Sequence, residues 1–210
     1  MSNPKETRST GERILEASLK LFSQKGYLGA TTKEIAKEAG IAELTLFRHF
    51  SSKEKLFEDV LNTYSFLPAL KELMPEAAAM SYEKALTEIA KRFLDTLESR
   101  KDLIQIMHSE IQRYPEKIHR LYHSFIDETL KILAAYFNEM RKRRLLSRFD
   151  AEFGARAFLG MFFSYFNVHE MMMHKKYRHV DKDETIREFV RIFVRGTVKQ
   201  KDKKEVRRND

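Results

Sequence analysis

Residues 31–57 read TTKEIAKEAGIAELTLFRHFSSKEKLF. Thr31 with Glu34, and Ser51 with Glu54, fit the S/T-x-x-E capping box, in which a hydroxyl and a carboxylate satisfy the backbone donors that a helix start leaves orphaned. Between the two boxes lie two short stretches of helical apolar spacing joined through Gly40-Ile41, and Gly40 can take the positive φ of a tight turn. The spacing predicts a helix over 32–39, a turn, a helix over 43–49, and a fourth helix starting near Ser52. Upstream, Ser9 with Glu12 repeats the capping box and Gly26 sits where a helix terminates, which predicts a first helix over about 10–25.

These helices carry a matching core. Ile14, Ala17, Ser18, Leu21 and Phe22 repeat at i, i+3, i+4, i+7 on the first, Ile35 and Ala39 face inward from the second, and Ile41, Leu46 and Phe50 close the core from the third. Ala36 is small where the two short helices must cross. A seven-residue third helix is about 10 Å long and cannot persist alone, so its neighbours must hold it. The arrangement is that of a helix-turn-helix, whose supported second helix presents its outer face to the major groove of DNA.

Composition bounds the rest. The 210 residues suffice for a small and a larger unit with real cores, and the absence of cysteine excludes disulfides, thiolate metal sites and a cysteine nucleophile. No apolar run approaches the roughly 20 residues of a membrane span, and the polar start MSNPKETRST lacks a signal-peptide core. A soluble cytoplasmic protein that makes no use of a membrane is expected. The net charge of +8 is unevenly placed: +1 over residues 1–60, −1 over 61–138, +4 over 139–148, zero over 149–194 and +4 from Arg195 onward. Pooled charge therefore does not argue for DNA binding; the order of caps, turn and exposed side chains does.

TGERILEASLKLFSQKGYLGATTKEIAKEAGIAELTLFRHFSSKEKLF, and within it KGY, ATT, IAKEAGI, TLFRHF and SKEKLF in that order, resembles the TetR family of bacterial transcriptional regulators. The resemblance implies an all-α homodimer with an N-terminal DNA-binding domain and a larger C-terminal domain for dimerisation and effector binding. It further implies phosphate contacts from Thr31 or Thr32, His49 and Lys53, and base reading from Glu43, Leu44 and Thr45. Ala42, Phe47 and Arg48 complete that face. Ala42 stands where the family commonly has Ser, which removes a capping hydroxyl. Phe47 stands where it commonly has Tyr, which keeps the ring and drops the hydroxyl; core packing is the competing role for Phe47, and a solvated helix charge for Glu43.

Beyond Ser52 the chain reads as helix throughout, all-α with about nine helices, and no segment shows strand alternation. Breaks are expected at Pro68, Pro75 and Pro115, with Pro68 ending or kinking the fourth helix near Leu67. Helical periodicity covers Ser81 to about Arg100, Leu103 to Tyr114, Pro115 to Leu146, Asp150 to about Tyr177, and Asp181 to about Lys199. Asp150 and Asp181 are candidate N-caps and Pro115 suits a first turn. The expected domains are 1–52 for DNA binding with a connector helix from 52 to about 67, 68–200 for effector binding and dimerisation, and a disordered basic tail at 201–210.

The last two helices are apolar on most faces, which predicts burial on more than one side. Phe158, Met161, Ile186, Phe189, Val190, Phe193 and Val194 are the candidates for a dimer interface, which the family resemblance makes a four-helix one; the core of a single protomer is the alternative. Phe66, Met107, Phe125, Phe162, Tyr165, Phe166 and Met173 could line an apolar effector cavity, with Ser164, Asn167 or His169 as orienting groups. Aromatic and methionine residues at helical spacing are more often plain core. His119 and His123 are spaced i, i+4, but no third ligand matches them; in HEMMMH, His169 and His174 diverge by about 140° on a helix, so no metal site and no cofactor is expected. The absence of a Gly-rich phosphate loop or a nucleophile elbow argues against an enzyme. The resulting expectation is a repressor released from a palindromic operator by a small, mainly apolar ligand. The alternatives are a helical DNA-associated protein without effector response or, more remotely, an enzyme of unassigned reaction.

Overall fold

A computed structural model describes residues 8–172, 176 and 180–199, and these are helical almost throughout. The elements are α1 (Thr10–Gly29), α2 (Thr32–Glu38), α3 (Glu43–His49), α4 (Lys53–Tyr64), α5 (Phe66–Ala77), α6 (Tyr82–Ser99), α7 (Lys101–Glu110), a 3-10 turn at Ile111–Arg113, α8 (Glu116–Lys142), α9 (Ala151–Phe166), a π turn at Asn167–Met171 and α10 (Lys182–Thr197). Among the described residues the nearest approach to a sheet is one antiparallel bridge between Leu146 and Val198.

The described residues form two compact units. The first joins the chain up to Ser65 with Ser99–Phe125; the second joins Phe66–Glu98 with the residues from Ile126 onward. Residues 99–125, which the sequence reading grouped with 68–200, thus belong with the helix-turn-helix. Leu103, Met107, Tyr114 and Ile118 share one core with Ile14, Leu21, Phe22, Ile35, Leu46, Phe57 and Val60. Three aromatic rings cement its middle, Phe22 to Phe57 at 5.3 Å, Tyr27 to Phe57 at 5.1 Å and Phe22 to Tyr27 at 6.0 Å between centroids. Arg100 donates from Nε to the Tyr64 carbonyl at 3.2 Å and lies 5.2 Å from the Tyr64 ring centroid, which ties off the end of α4.

In the second unit, Phe158 packs edge-on against Phe162 at 5.2 Å and against Phe193 at 5.0 Å, and Phe137 meets Phe193 at 5.5 Å. The chain after α10 is fastened by Ser147, whose N–H donates to the Thr197 carbonyl at 2.8 Å, and by Lys199, whose N–H donates to the Leu145 carbonyl at 3.1 Å. Lys182 at the start of α10 bridges Asp95 at 2.6 Å and Glu98 at 2.7 Å on α6.

Several helix ends differ from their sequence-based positions for local reasons. The connector ends at Tyr64, three residues before Leu67, because Ser65 is extended at φ −82 and ψ −177. Pro68 then lies in the first turn of α5, where its missing N–H costs nothing. Pro75 lies inside the last turn of α5, so the stretch between the two prolines is an additional helix. The cap of α4 is Ser52, one residue later than expected, with its hydroxyl accepting from Lys55 N at 3.1 Å. Pro115 stands just before α8 and its carbonyl accepts from Ile118 N at 2.8 Å. The helix expected over Leu103–Tyr114 tightens into a 3-10 turn after Glu110. Asp150 and Asp181 cap α9 and α10 as expected. Helix α9 gives way to the π turn at Asn167, and its expected end near Tyr177 lies outside the described residues, as do Met173, His174 and the 201–210 tail.

Helix α8 stops at Lys142, short of Leu146, because Arg144 turns left-handed at φ 63. Its N–H donates to the Arg141 carbonyl at 2.9 Å and that of Leu145 to Met140 at 3.2 Å, the hydrogen-bond pair of a Schellman C-cap. A left-handed residue with a Cβ costs about 1–2 kcal/mol, while glycine gives back part of that gain through its unfolded-state entropy. Arg144→Gly is expected to raise stability by about 0.5–1 kcal/mol, read as a higher urea midpoint at unchanged m-value; an unchanged or lower midpoint would show that the Arg144 side chain outweighs the backbone term.

Candidate nucleic-acid interface

The surface around α3 is built from three caps. At the first, Thr31 Oγ1 accepts from Glu34 N at 3.2 Å and donates to Glu34 Oε2 at 2.9 Å, while Thr31 N donates to the same oxygen at 3.1 Å. Lys25 Nζ on α1 reaches Glu34 Oε1 at 2.6 Å. The Lys25 contact, followed by the two Thr31 donors, lowers the carboxyl pKa of Glu34 from its ordinary 4.5 to about 2.

At the second, α2 ends in a Schellman motif. Gly40 N donates to the Lys37 carbonyl at 3.1 Å and Ile41 N to Ala36 at 3.0 Å, with Gly40 at φ +68. Ile41 is drawn against the core and α3 is launched at a fixed angle from α2. Ala42 offers α3 no side-chain cap, so the helix begins on the Ala42 carbonyl, which accepts from Thr45 N at 2.9 Å. A side-chain tie takes over part of the cap's work, since Thr32 Oγ1 donates to Glu43 Oε1 at 2.6 Å.

At the third, Lys53 opens α4, and its ammonium lies 4.5 Å from the Tyr27 ring centroid. Burial pulls the Lys53 pKa below its ordinary 10.5, opposed by Glu54, Glu110 and Glu34. Burial, then Glu54, raises the Tyr27 phenol. Tyr27 also packs edge-on to Tyr114 at 5.9 Å. Glu110 lies directly against Gly26, where the backbone turns at φ +72 and any Cβ would collide with that carboxylate.

Leu46 is fully buried and Phe50 nearly so, while Leu44 is 65 % exposed and Phe47 43 %. Arg48 and His49 are exposed and Thr45 is half-buried. All ten residues singled out from sequence, Thr31, Thr32, Ala42, Glu43, Leu44, Thr45, Phe47, Arg48, His49 and Lys53, lie in the first unit, at the start of α2, along α3 or at the start of α4. Phe47 is not a core residue. The hydroxyl protons of Thr31 and Thr32 are both committed to carboxylates within the protein. Sequence reasoning missed Tyr27, Glu110 and Tyr114, whose only local sign is an aromatic beside a glycine in KGY.

The other candidates scatter. Met107 belongs to the first unit's core and Phe125 is half-buried at that unit's last residue. Phe66, Phe162 and Phe166 are buried in the second unit, Phe66 against Phe93 at 4.9 Å and Phe162 against Phe189 at 5.5 Å. Tyr165 and His169 are half-buried in the second unit with ring centroids 4.7 Å apart, and Tyr165 Oη donates to the Val180 carbonyl at 3.3 Å. Of the dimer candidates, Phe158, Ile186, Val190 and Phe193 fill the protomer's own core, and Met161, Phe189 and Val194 are half-buried. The apolar groups that α9 and α10 leave outward are instead Phe153, 74 % exposed, and Ile192, 58 % exposed. Gly160 on α9 and Gly196 on α10 each have open space where a Cβ would stand. Among the described residues no group of His, Asp and Glu converges as metal ligands, and no helix is long and apolar enough to cross a membrane.

Comparison with known proteins matches residues 14–60 to "Bacterial regulatory proteins, tetR family" and residues 84–196 to "AefR-like transcriptional repressor, C-terminal domain". The chain is 28 % identical over 189 residues to the HTH-type transcriptional regulator YvkB of Bacillus subtilis, covering 90 % of this chain and 97 % of that one. A TetR-family transcriptional regulator of Mesorhizobium loti shares the fold at TM-score 0.70 and 24 % identity, over 92 % of this chain and 100 % of that one. FadR of Bacillus subtilis, solved with stearoyl-CoA, does so at TM-score 0.70 and 15 % identity, over 88 % and 98 %. At such identities the two structures speak for the fold alone.

Because the Glu34 carboxyl pKa is depressed, its charge stabilises the fold fully above about pH 4.5, and that contribution is lost as pH falls toward about 2. Glu34→Gln is expected to lower the melting temperature at pH 7, with the gap to the parent closing between pH 4.5 and 2; a gap independent of pH would show that the side-chain shape, and not its charge, is what matters.

Proposed function

This chain belongs to the TetR family of bacterial regulatory proteins and is a DNA-binding transcriptional regulator, and on that premise we propose that it is a cytoplasmic repressor. It holds a palindromic operator as a homodimer and leaves it when a small, mainly apolar ligand binds the second unit. The observation that carries the DNA half of this reading is a short helix, α3, whose inner residue Leu46 is buried while Leu44, Phe47, Arg48 and His49 are offered outward. In this reading His49 and Lys53 meet phosphates, and the outer face of α3 meets base edges.

Repression draws support from the description of the C-terminal match, which covers residues 84–196. Dimerisation draws support from Phe153 and Ile192, large apolar side chains that α9 and α10 leave exposed on the single protomer and that a second copy would dehydrate. A ligand that prefers the released state lowers operator affinity by no more than its differential affinity for the two states. The aromatic interior of the second unit suits apolar compounds, and stearoyl-CoA, bound by the FadR neighbour, is a reasoned first probe within a wider apolar panel.

Selection from a random DNA pool is expected to return a palindrome with half-sites about 34 Å apart or a multiple of it, bound by two chains. At least one apolar compound of the panel should reduce that affinity; recovery of no preferred sequence would overturn the reading. Lys53→Ala and His49→Ala are each expected to weaken binding to all sequences alike and to reduce the slope of log affinity against log salt by about one per lost phosphate contact. A changed base preference with an unchanged salt slope would reassign both residues.

A further inference from the structure

We propose that α3 identifies its half-site chiefly through the 5-methyl groups of thymine, with Leu44 as the principal reader and Phe47 beside it, and that Glu43 is a positioning residue and not a base reader. This rests on the reading of the chain as a sequence-specific DNA-binding regulator and names the chemistry that its groove-facing surface recognises.

Successive helical residues turn by about 100°, so Leu44 lies about 160° round the helix from Leu46, which is buried in the core. Phe47 follows Leu44 at i+3 and shares its side of the helix. Both are exposed, and both are large and apolar. Within the major groove every base pair offers donors and acceptors, but thymine's methyl is the one apolar group a base edge carries there. A leucine facing the groove can gain affinity at a base only by burying itself against that methyl; at any other edge it strips water from a polar group without replacing the hydrogen bond.

Glu43 is the other candidate reader, and the structure occupies it elsewhere. Its Oε1 accepts from Thr32 Oγ1 at 2.6 Å, which draws the carboxylate toward the start of α2, one residue and about 100° from the Leu44 direction. The same bond secures the first turn of α3, where Ala42 supplies no side-chain cap. A carboxylate reaching toward bases would also approach the phosphate-lined groove uncompensated, whereas the Thr32 bond holds it in place. Thr45 is half-buried and Ala42 lacks a hydroxyl, so the apolar pair remains as the base-directed surface with Arg48 at its edge.

The test uses the full-length protein and the operator returned by selection. Each thymine is replaced in turn by deoxyuridine, which removes the methyl and leaves every hydrogen-bonding group. Replacement at one or two positions in each half-site is expected to weaken binding about fourfold per methyl, the equivalent of one buried methylene at ~0.8 kcal/mol. Leu44→Ala should abolish that penalty, and since Leu44 is exposed the variant should melt like the parent. Glu43→Gln should keep the penalty in full. The proposal is overturned if deoxyuridine is tolerated at every position of an operator that is still selectively bound, if the penalty survives Leu44→Ala, or if it vanishes in Glu43→Gln; each of these results leaves the regulator reading standing. Failure to select any sequence removes both.

Discussion

A helix of seven residues cannot hold itself together in water, and everything around α3 answers that constraint. It closes few hydrogen bonds of its own, begins without a side-chain cap and exposes two large apolar groups. What fixes it is borrowed: the Schellman turn at Gly40, the Thr32 bond to Glu43, and Leu46 and Phe50 sunk into the core that α1 and α4 complete. Each borrowed element is in turn pinned, α2 by the Thr31–Glu34 box and its Lys25 partner, α4 by Ser52 at one end and Arg100 at the other. A reading surface that must stay stiff while facing water is obtained by stacking local restraints, each modest, that agree in direction.

Where the chain announced itself, it did so through chemistry confined to four or five residues. The boxes at Ser9–Glu12 and Thr31–Glu34, the glycine at 40, and the aspartates at 150 and 181 have one physical use each, and the structure puts them to it, whereas Gly26, expected to end the first helix near residue 25, kinks it at φ 72 and α1 runs on to Gly29. Two serines in a row at 51 and 52 left the cap ambiguous by one residue, since either hydroxyl could reach a backbone amide of the first turn. The ends at Ser65 and Lys142 carried no such mark. Ser65 is merely extended, and Arg144 takes a left-handed conformation that residues of its type rarely adopt, so the sequence offered no glycine to betray either break. Pro68 misled for a related reason: a proline near a helix boundary fits a first turn as well as a stop.

Burial by a distant partner is harder to read than a cap. The apolar stripes of α9 and α10 said that more than one side of each must be covered, without saying by what. In the structure Phe158, Ile186, Val190 and Phe193 are consumed by the protomer's own core, and the outward share falls to Phe153, Gly160, Ile192 and Gly196, residues that periodicity alone ranks no higher than their neighbours. The same ambiguity dispersed the aromatic and methionine residues considered for an effector cavity. Met107 serves the first unit's core and Phe162 the second's, because helical spacing reports that a face is apolar and is silent on which face it meets.

The least legible feature is the make-up of the first unit's core. Residues 99–125 begin 35 positions beyond the end of α4 at Tyr64, yet Leu103, Met107, Tyr114 and Ile118 are as much part of the helix-turn-helix core as Ile14 or Phe57. Glu110 stands against the turn at Gly26, and Tyr114 packs edge-on to the Tyr27 ring that carries the Lys53 ammonium. The start of α4 and the segment that follows α7 are therefore linked by direct contacts through one tyrosine, Tyr27. A close-packed interior transmits a displacement of its parts and does not absorb it. Phe22, Tyr27 and Phe57 are in mutual ring contact, so the Tyr27 ring is held on one side by that cluster and on another by Tyr114, and a displacement of any one of these rings is felt by the rest.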